Sequence, residues 1–485
     1  MLVNGKTTLR LLALPLMWMG IVQVFFGVLS IAVFQDGVGK VFVVGGLGMI
    51  ACATAVTLWL QKVQLTQVTF RDALMFATFT WMLTGALGAV PIMFITDLSF
   101  TDALFESVSA LTTTGATKLS GLDLMPKSFL LFRQFLQWMG GLGVVIFVVA
   151  VLPMLNVGGM RLLKAETPGP MKDDKLSPRI ANTAHYLWFI YVLITVLCAL
   201  SYYGAGMTAF DAIAHSFTTV STGGFSTHDA SMGYFASVPM LWISNLFMLL
   251  GAISFALHYR VLNMRLPTLY WGDEETRWFL IIVAGLTLIL TWRVFNHDVY
   301  GSVFEAFSYS AFSVISFITS TGFGAADLSV WPPETAMILV FCGYLGGCAG
   351  STAGGNKIIR NIITFKVVRN ELRQMLHPQA IYTLRYQKQA VGSDVKSAVM
   401  GFMSLAFATS FVLTLVLMAT GLDFWTAFTA VAACVNVLGP GFGEVAANFQ
   451  AVNAAGTWVL SFAMILGRLE YFTILALLLP AFWRY

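Results

Sequence analysis

Four short stretches carry the residues best suited to chemistry in this chain: "LTTTGAT" at 111–117, "TVSTGGFST" at 219–227, "ITSTGFG" at 318–324 and "NVLGPGFG" at 436–443. Aligning them puts Gly115, Gly223, Gly322 and Gly439 in register. Glycine tolerates the φ values that turn successive carbonyls toward one side, and a dehydrated alkali cation needs such a ring of oxygens in place of its water. The candidate ligands are Thr113, Thr114 and Gly115; Ser221, Thr222 and Gly223; Ser320, Thr321 and Gly322; and Val437, Leu438 and Gly439. One such turn alone reads as a polar kink. Four copies, each trailed 24 to 28 residues later by a second glycine (Gly140, Gly251, Gly346 and Gly467), read as one repeated cation site.

The third trailing glycine lies in the run "GYLGGCAGSTAGGNK" at 343–357. Gly346, Gly347, Gly350, Gly354 and Gly355, with Ser351 and Thr352 among them, weaken helix and interrupt what should be a spanning segment. Close packing of small residues between helices is the alternative. A nucleotide P-loop does not fit, because "GSTAGGNK" lacks the GK[ST] ending and follows no strand. Arg468 falls in the middle of the last apolar helix, where a charge costs on the order of 2.5–3.5 kcal/mol, so it must face protein or water. Glu470, two positions on, points to another face, which leaves a distant carboxylate or an aqueous pore as the surroundings of Arg468. The run 346–355 and Arg468 are together expected to restrict the path beneath the four turns.

Other chemistry finds little support. His215 lies on the second short segment and the other five histidines lie at helix ends, in loops or beside charged stretches, with no HExxH or spaced cluster for a metal. Cys52, Cys198, Cys342, Cys348 and Cys434 sit in apolar stretches as small packing residues. An intramembrane hydrolase would need a G-x-S-x-G elbow or paired carboxylates within the membrane, and neither occurs, so the chain does not read as an enzyme.

The elements that position the turns follow from composition. With 58% hydrophobic and 10% charged residues, a soluble fold would expose large apolar patches, so lipid is the expected surrounding. Apolar runs predict ten spans: 12–34, 41–61, 72–96, 129–155, 183–204, 237–262, 277–296, 334–360, 395–420 and 454–482. No small-residue cleavage site follows Lys6 and Arg10 closely, so the first is expected to be a retained helix. Between later spans lie 101–114, 209–222, 303–321 and 424–438, too short to cross and rich in Thr, Ser, Phe and Ala. Irregular backbone at membrane depth must be buried in protein or line water, so four re-entrant segments imply one shared pore. Basic residues gather at 156–182, 258–277 and 356–396, which puts these segments and both termini on the cytoplasmic side. The segment 356–396, with Arg360, Arg369 and Arg373, is expected to dock a regulatory partner.

The expected fold is an all-α polytopic membrane protein with a helix pair at 1–66. Four helix, pore-loop, helix repeats follow at 67–180, 181–272, 273–392 (holding the glycine-rich loop) and 393–485. On these turns, the glycine-rich run and Arg468, the sequence resembles the TrkH/KtrB superfamily of K⁺ uptake proteins over essentially the whole chain, closest to the bacterial TrkH branch with its extra helix pair. The resemblance implies a K⁺ site at the twelve filter residues, with Rb⁺ also carried, an intramembrane gate at 346–355, and Arg468 projecting into the pore below the filter. It also implies a homodimer in the bacterial inner membrane and a cytoplasmic nucleotide-binding regulator of the TrkA type. No cofactor in this chain and no nucleic-acid partner are expected. A symporter coupled to H⁺ or Na⁺ is the alternative; its inverted repeats would reverse topology between halves, whereas these four copies enter from one side.

Overall fold

Each of the four short segments opens with a helix-start signal that is used. Ser99 accepts from the Asp102 N–H at 3.2 Å, Thr208 from Asp211 at 3.1 Å, Ser302 from Glu305 at 3.1 Å and Asp423 from Thr426 at 3.1 Å. In the first three the acidic residue sits at the third helical position, the spacing of a capping box. The helices that follow, Phe100–Leu111, Ala209–Val220, Val303–Ile318 and Phe424–Val435, run 12, 12, 16 and 12 residues. At 1.5 Å per residue none covers the roughly 30 Å of a bilayer core. They are pore helices that enter and stop.

The computed structural model describes residues 5–63, 70–150, 177–380 and 382–483. Outer helices Phe70–Thr96, Ser177–Gly204, Glu274–Asn296 and Ser393–Met418 each pack on the pore helix that follows them. The inner helices begin at Lys127, Val238, Pro333 and Ala454, and each packs on the pore helix of the next copy, the fourth returning to the first. Four copies therefore close around one centre. Helices Gly5–Leu29 and Gly39–Trp59 precede them and pack through glycines, a side chain on Gly20 meeting the Gly46 carbonyl at 2.8 Å.

Six described helices are long and apolar enough to cross a membrane, or eight if each of two bent pairs counts as one span. The bent pairs correct the expected continuous helices 237–262 and 454–482. Val238–Ala252 and Phe255–Met264 meet at 98°, and Ala454–Leu469 and Tyr471–Leu478 at 116°. The first break occurs where Ile253 is extended and the Phe255 N–H turns to the Gly350 carbonyl, 3.1 Å away. The second occurs at Glu470, which takes a left-handed φ of 64° and pairs with Arg360. The third inner helix ends at Leu345 and a helix resumes at Ile358. Of the first, predicted to reach 155, the structure describes Lys127–Ala150; Arg161, Lys164, Lys172, Lys175 and the 66/67 boundary lie outside the described residues.

Large apolar side chains face outward, Val44, Trp59 and Phe407 among them, while hydroxyls and carboxylates are inside. That distribution inverts the soluble pattern and suits lipid as the solvent.

Candidate functional site

The four pore helices end identically. In the first copy the Thr113 N–H bonds the Ala110 carbonyl at 3.0 Å and the Thr114 N–H the Ser109 carbonyl at 2.9 Å, which is a Schellman ending. Gly223, Thr321 and Leu438 repeat the second bond to Thr218, Ser316 and Ala433, each at 2.8 Å. The left-handed residue of that motif is normally glycine. Here it is Thr113, Thr222, Ser320 and Val437, at φ 58°, 52°, 53° and 57°. A left-handed conformation costs a non-glycine residue roughly 1–2 kcal/mol. Strain repeated at one position in all four copies marks a geometry that the rest of the structure holds in place.

Two residues further on, the chain turns left-handed again at Gly115 (φ 85°), Gly224 (74°), Gly322 (77°) and Gly439 (97°). The second copy corrects the sequence alignment by one residue. Gly223 is not left-handed; it occupies the place of Thr114, Thr321 and Leu438, and Gly224 is the equivalent of the other three glycines. The pair "GG" offers two alignments, and the helix ending at Val220 selects the second.

These glycines form a closed ring. A side chain on Gly115 would meet the Gly223 carbonyl oxygen at 2.2 Å, one on Gly224 the Thr321 oxygen at 1.8 Å, one on Gly322 the Leu438 oxygen at 2.1 Å, and one on Gly439 the Thr114 oxygen at 2.6 Å. The carbonyls of Thr114, Gly223, Thr321 and Leu438 thus make one layer, each against the glycine of the neighbouring copy. Eleven of the twelve expected residues fall on these turns; the one-residue shift moves Ser221 to the place of Thr112, at the end of its pore helix, and brings in Gly224. The helix C-termini behind it contribute partial negative charge, which favours a cation.

Hydroxyls and inner helices brace the turns. Thr112 and Thr114 share a 2.7 Å hydrogen bond, as Thr319 and Thr321 do at 2.8 Å. The trailing glycines let inner helices pass beneath the pore-helix ends: a side chain on Gly140 would meet the Leu111 carbonyl at 1.8 Å, and one on Gly467 the Val435 carbonyl at 1.9 Å. Behind the first turn, the buried Glu106 carboxylate receives Arg133, the Thr117 hydroxyl at 3.0 Å and the Lys118 N–H at 3.0 Å. At the mouth, a hydrogen bond from His228 holds the Asp123 carboxyl below its usual range.

The glycine-rich loop lies against the same ring. Gly346, Gly350 and Gly355 are left-handed, at φ 73°, 74° and 74°, and Gly347 packs against the Ala252 backbone, so no helix continues through them. Thr352 Oγ1 donates to the Val220 and Gly251 carbonyls at 3.0 and 2.9 Å, and the Gly354 N–H donates to the Ser320 hydroxyl at 2.5 Å. The Gly355 N–H donates to the Asn436 carbonyl at 3.1 Å, and Ser351 closes a local bond to Cys348. From below, one oxygen of the buried Glu275 accepts from the N–H groups of Ala349 and Ile359, both at 2.9 Å.

Arg468 reaches this loop from the fourth inner helix. It donates to the Thr352 carbonyl at 2.9 Å and to the Gly140 carbonyl at 3.4 Å. Among the described residues its hydrogen-bond partners are backbone oxygens, and the distant carboxylate expected as one alternative is not among them. Glu470 instead pairs with Arg360 at 2.7 Å, and the Arg360 guanidinium lies 3.9 Å from the Phe402 ring centre. Arg360 is thereby buried beneath the ring, which removes it from the expected docking surface; Arg369 and Arg373 are exposed. Gly354, Gly355, Asn436, Val437, Gly467 and Arg468 line a cavity below the ring.

Gly224, Glu275 and the capping residues were absent from the expected set. The caps are visible in sequence as S-x-x-D, T-x-x-D and S-x-x-E ahead of three pore helices. Glu275 has no such signal, because its partners lie 74 and 84 residues away.

Comparison with known proteins agrees with this architecture. The profile of the TrkH family, described as a cation transport protein, matches residues 39–485. The chain is 43% identical over 455 residues to the Trk system potassium uptake protein TrkH of Salmonella typhimurium, covering 93% of this chain and 94% of that protein. It is 42% identical over 481 residues to that of Halomonas elongata, covering 99% of each. The crystal structure of the potassium transporter TrkH from Vibrio parahaemolyticus superimposes with a TM-score of 0.92 at 39% identity, covering 99% of this chain and 100% of that one. The four-copy ring, the interrupted third inner helix and this likeness along nearly the whole chain place it in the TrkH family of cation transport proteins, as a transporter and not an enzyme.

Proposed function

We propose that the protein takes up K⁺, and Rb⁺ with it, through a gated pore in the bacterial inner membrane, with both termini cytoplasmic. The observation that carries this reading is the closed ring in which Thr114, Gly223, Thr321 and Leu438 carbonyls meet the glycines of neighbouring copies. Such a ring supplies oxygens to a weakly hydrated cation without side-chain charge. The repeats divide near 66, 180, 272 and 392. A homodimer and a TrkA-type nucleotide-binding subunit are the partners, the latter acting on the helix Ile358–Leu376 that continues from the loop. Arg369 and Arg373 are its basic contacts.

Current recorded from the purified protein in lipid, under opposed K⁺ and Na⁺ gradients, tests the reading. A reversal potential near that of K⁺ supports a selective pore. Saturating flux that requires H⁺ or Na⁺ would replace it with a symporter.

Glu275 gives a second test. Glu275→Gln keeps the shape but removes the charge from two hydrogen bonds that hold the loop, and bonds to charged groups are worth about 1.5–3 kcal/mol. Tracer Rb⁺ uptake into proteoliposomes without the regulator should rise by about fivefold or more, the equivalent of about 1 kcal/mol. Unchanged uptake by folded protein would separate Glu275 from the gate.

A further inference from the structure

The position three residues before each trailing glycine lies on an inner helix that packs against the pore helix of the next copy. These positions are Gln137, Met248, Gly343 and Met464; Gln137 meets the turn at Gly223, and Gly343 the turn at Leu438. Two pairs show a reciprocal fit. Where the turn carries the bulky Leu438, the helix has Gly343, and a side chain there would meet Leu438 Cδ2 at 2.8 Å. Where the turn lacks a side chain at Gly223, the helix has Gln137, whose amide would lie 2.5 Å from a side chain added to that glycine.

Gln137 is the polar member of the four and is fully buried. Its Nε2 donates to the Gly223 carbonyl at 2.7 Å, and its Oε1 accepts the Phe225 N–H at 3.1 Å. One side chain thus holds both ends of the Gly223–Gly224 turn. The Gly223 carbonyl belongs to the layer that meets the neighbouring glycines, so an amide donor on it weakens its field at that level.

We infer that Gln137 is the positioning residue that sets the strength and aim of the Gly223 carbonyl, and through it the preference of the ring for the larger, weakly hydrated alkali cation. A smaller cation needs a stronger field to offset its dehydration, so a shared carbonyl disfavours Na⁺ more than K⁺. The inference rests on the filter reading above.

The test measures K⁺ over Na⁺ permeability by reversal potential in four variants. Gln137→Leu fills similar space without a donor and should lower the ratio about fivefold, the effect of one hydrogen bond of ordinary net strength. Gly223→Thr alone should also lower it, since its side chain meets Gln137. The double variant Gln137→Ala with Gly223→Thr relieves that clash but leaves the carbonyl without its amide donor, so its ratio should rise no further than that of Gln137→Leu. Gly322→Ala, in a copy that Gln137 does not touch, serves as the filter control. A wild-type ratio in Gln137→Leu beside a collapsed ratio in Gly322→Ala would overturn the inference and leave the filter standing. A wild-type ratio in the double variant would show that filled space and not the amide donor sets the preference, and would overturn the inference. Wild-type ratios in both Gln137→Leu and Gly322→Ala would overturn the filter reading itself.

Discussion

Alanine at Gly224 or Gly322 should cost the protein its discrimination between K⁺ and Na⁺ by tenfold or more, while leaving it able to insert and fold. Both positions are left-handed, at φ 74° and 77°, where an L-residue pays roughly 1–2 kcal/mol. The added methyl would also lie 1.8 Å from the Thr321 oxygen and 2.1 Å from the Leu438 oxygen, distances at which one of the two groups must move. Both oxygens belong to the proposed ion-binding layer. Because each glycine presses on the neighbouring copy, the displacement should propagate around the ring and widen the site, which favours loss of selectivity before loss of flux. Parallel uptake of Rb⁺ and Na⁺ tracers by proteoliposomes reads the ratio directly. Gly223→Ala is the comparison that makes the result specific: Gly223 is not left-handed and meets the side-chain amide of Gln137 rather than a backbone oxygen of the layer, so its loss should be the smaller. Wild-type ratios in Gly224→Ala and Gly322→Ala would show that the ring does not select the ion.

Arg468→Ala should raise regulator-independent cation flux by tenfold or more. A fixed positive charge beneath the proposed filter opposes a nearby cation by several kcal/mol where the local dielectric is low. The guanidinium also ties the Thr352 carbonyl of the loop to the Gly140 carbonyl of the first inner helix, so alanine removes the charge and the tether together. Arg468→Lys separates the two contributions. Lysine keeps the charge but lacks the planar fork that reaches two carbonyls, so flux through Arg468→Lys should fall between wild type and alanine. Deleting part of 346–355 should raise flux through the steric route alone. Uptake of Rb⁺ tracer by proteoliposomes containing each variant without the regulator is the measurement. Flux at or below wild type from properly folded Arg468→Ala protein would leave Arg468 as a structural charge that satisfies two backbone oxygens.

The sequence carried the architecture because its signals are local. Twenty-residue apolar runs, four polar segments too short to span, and glycines recurring at similar distances can each be read within one stretch of chain. Lipid makes such signals strong, since backbone at membrane depth must be helical or enclosed. The break at Gly346 was visible for the same reason: several glycines in succession weaken a helix wherever they occur.

What escaped sequence reasoning depended on partners far along the chain. The bends at Ile253 and Glu470 lie in stretches long and apolar enough to read as continuous helices and arise from bonds to Gly350 and Arg360, about a hundred residues away. Arg360 reads as one more basic residue of a solvated segment until Glu470 and Phe402 enclose it. The choice between Gly223 and Gly224 could not be made from the letters "STGG", because either glycine completes the motif; the Schellman ending after Val220 and the Gln137 amide in the place of a side chain decide it. By itself the sequence determined that four oxygen-rich turns would meet in a membrane. Only the tertiary structure decided which carbonyl faces which glycine and which residues tie the loop beneath them, because those contacts join copies of the repeat through hydrogen bonds that no local spacing encodes.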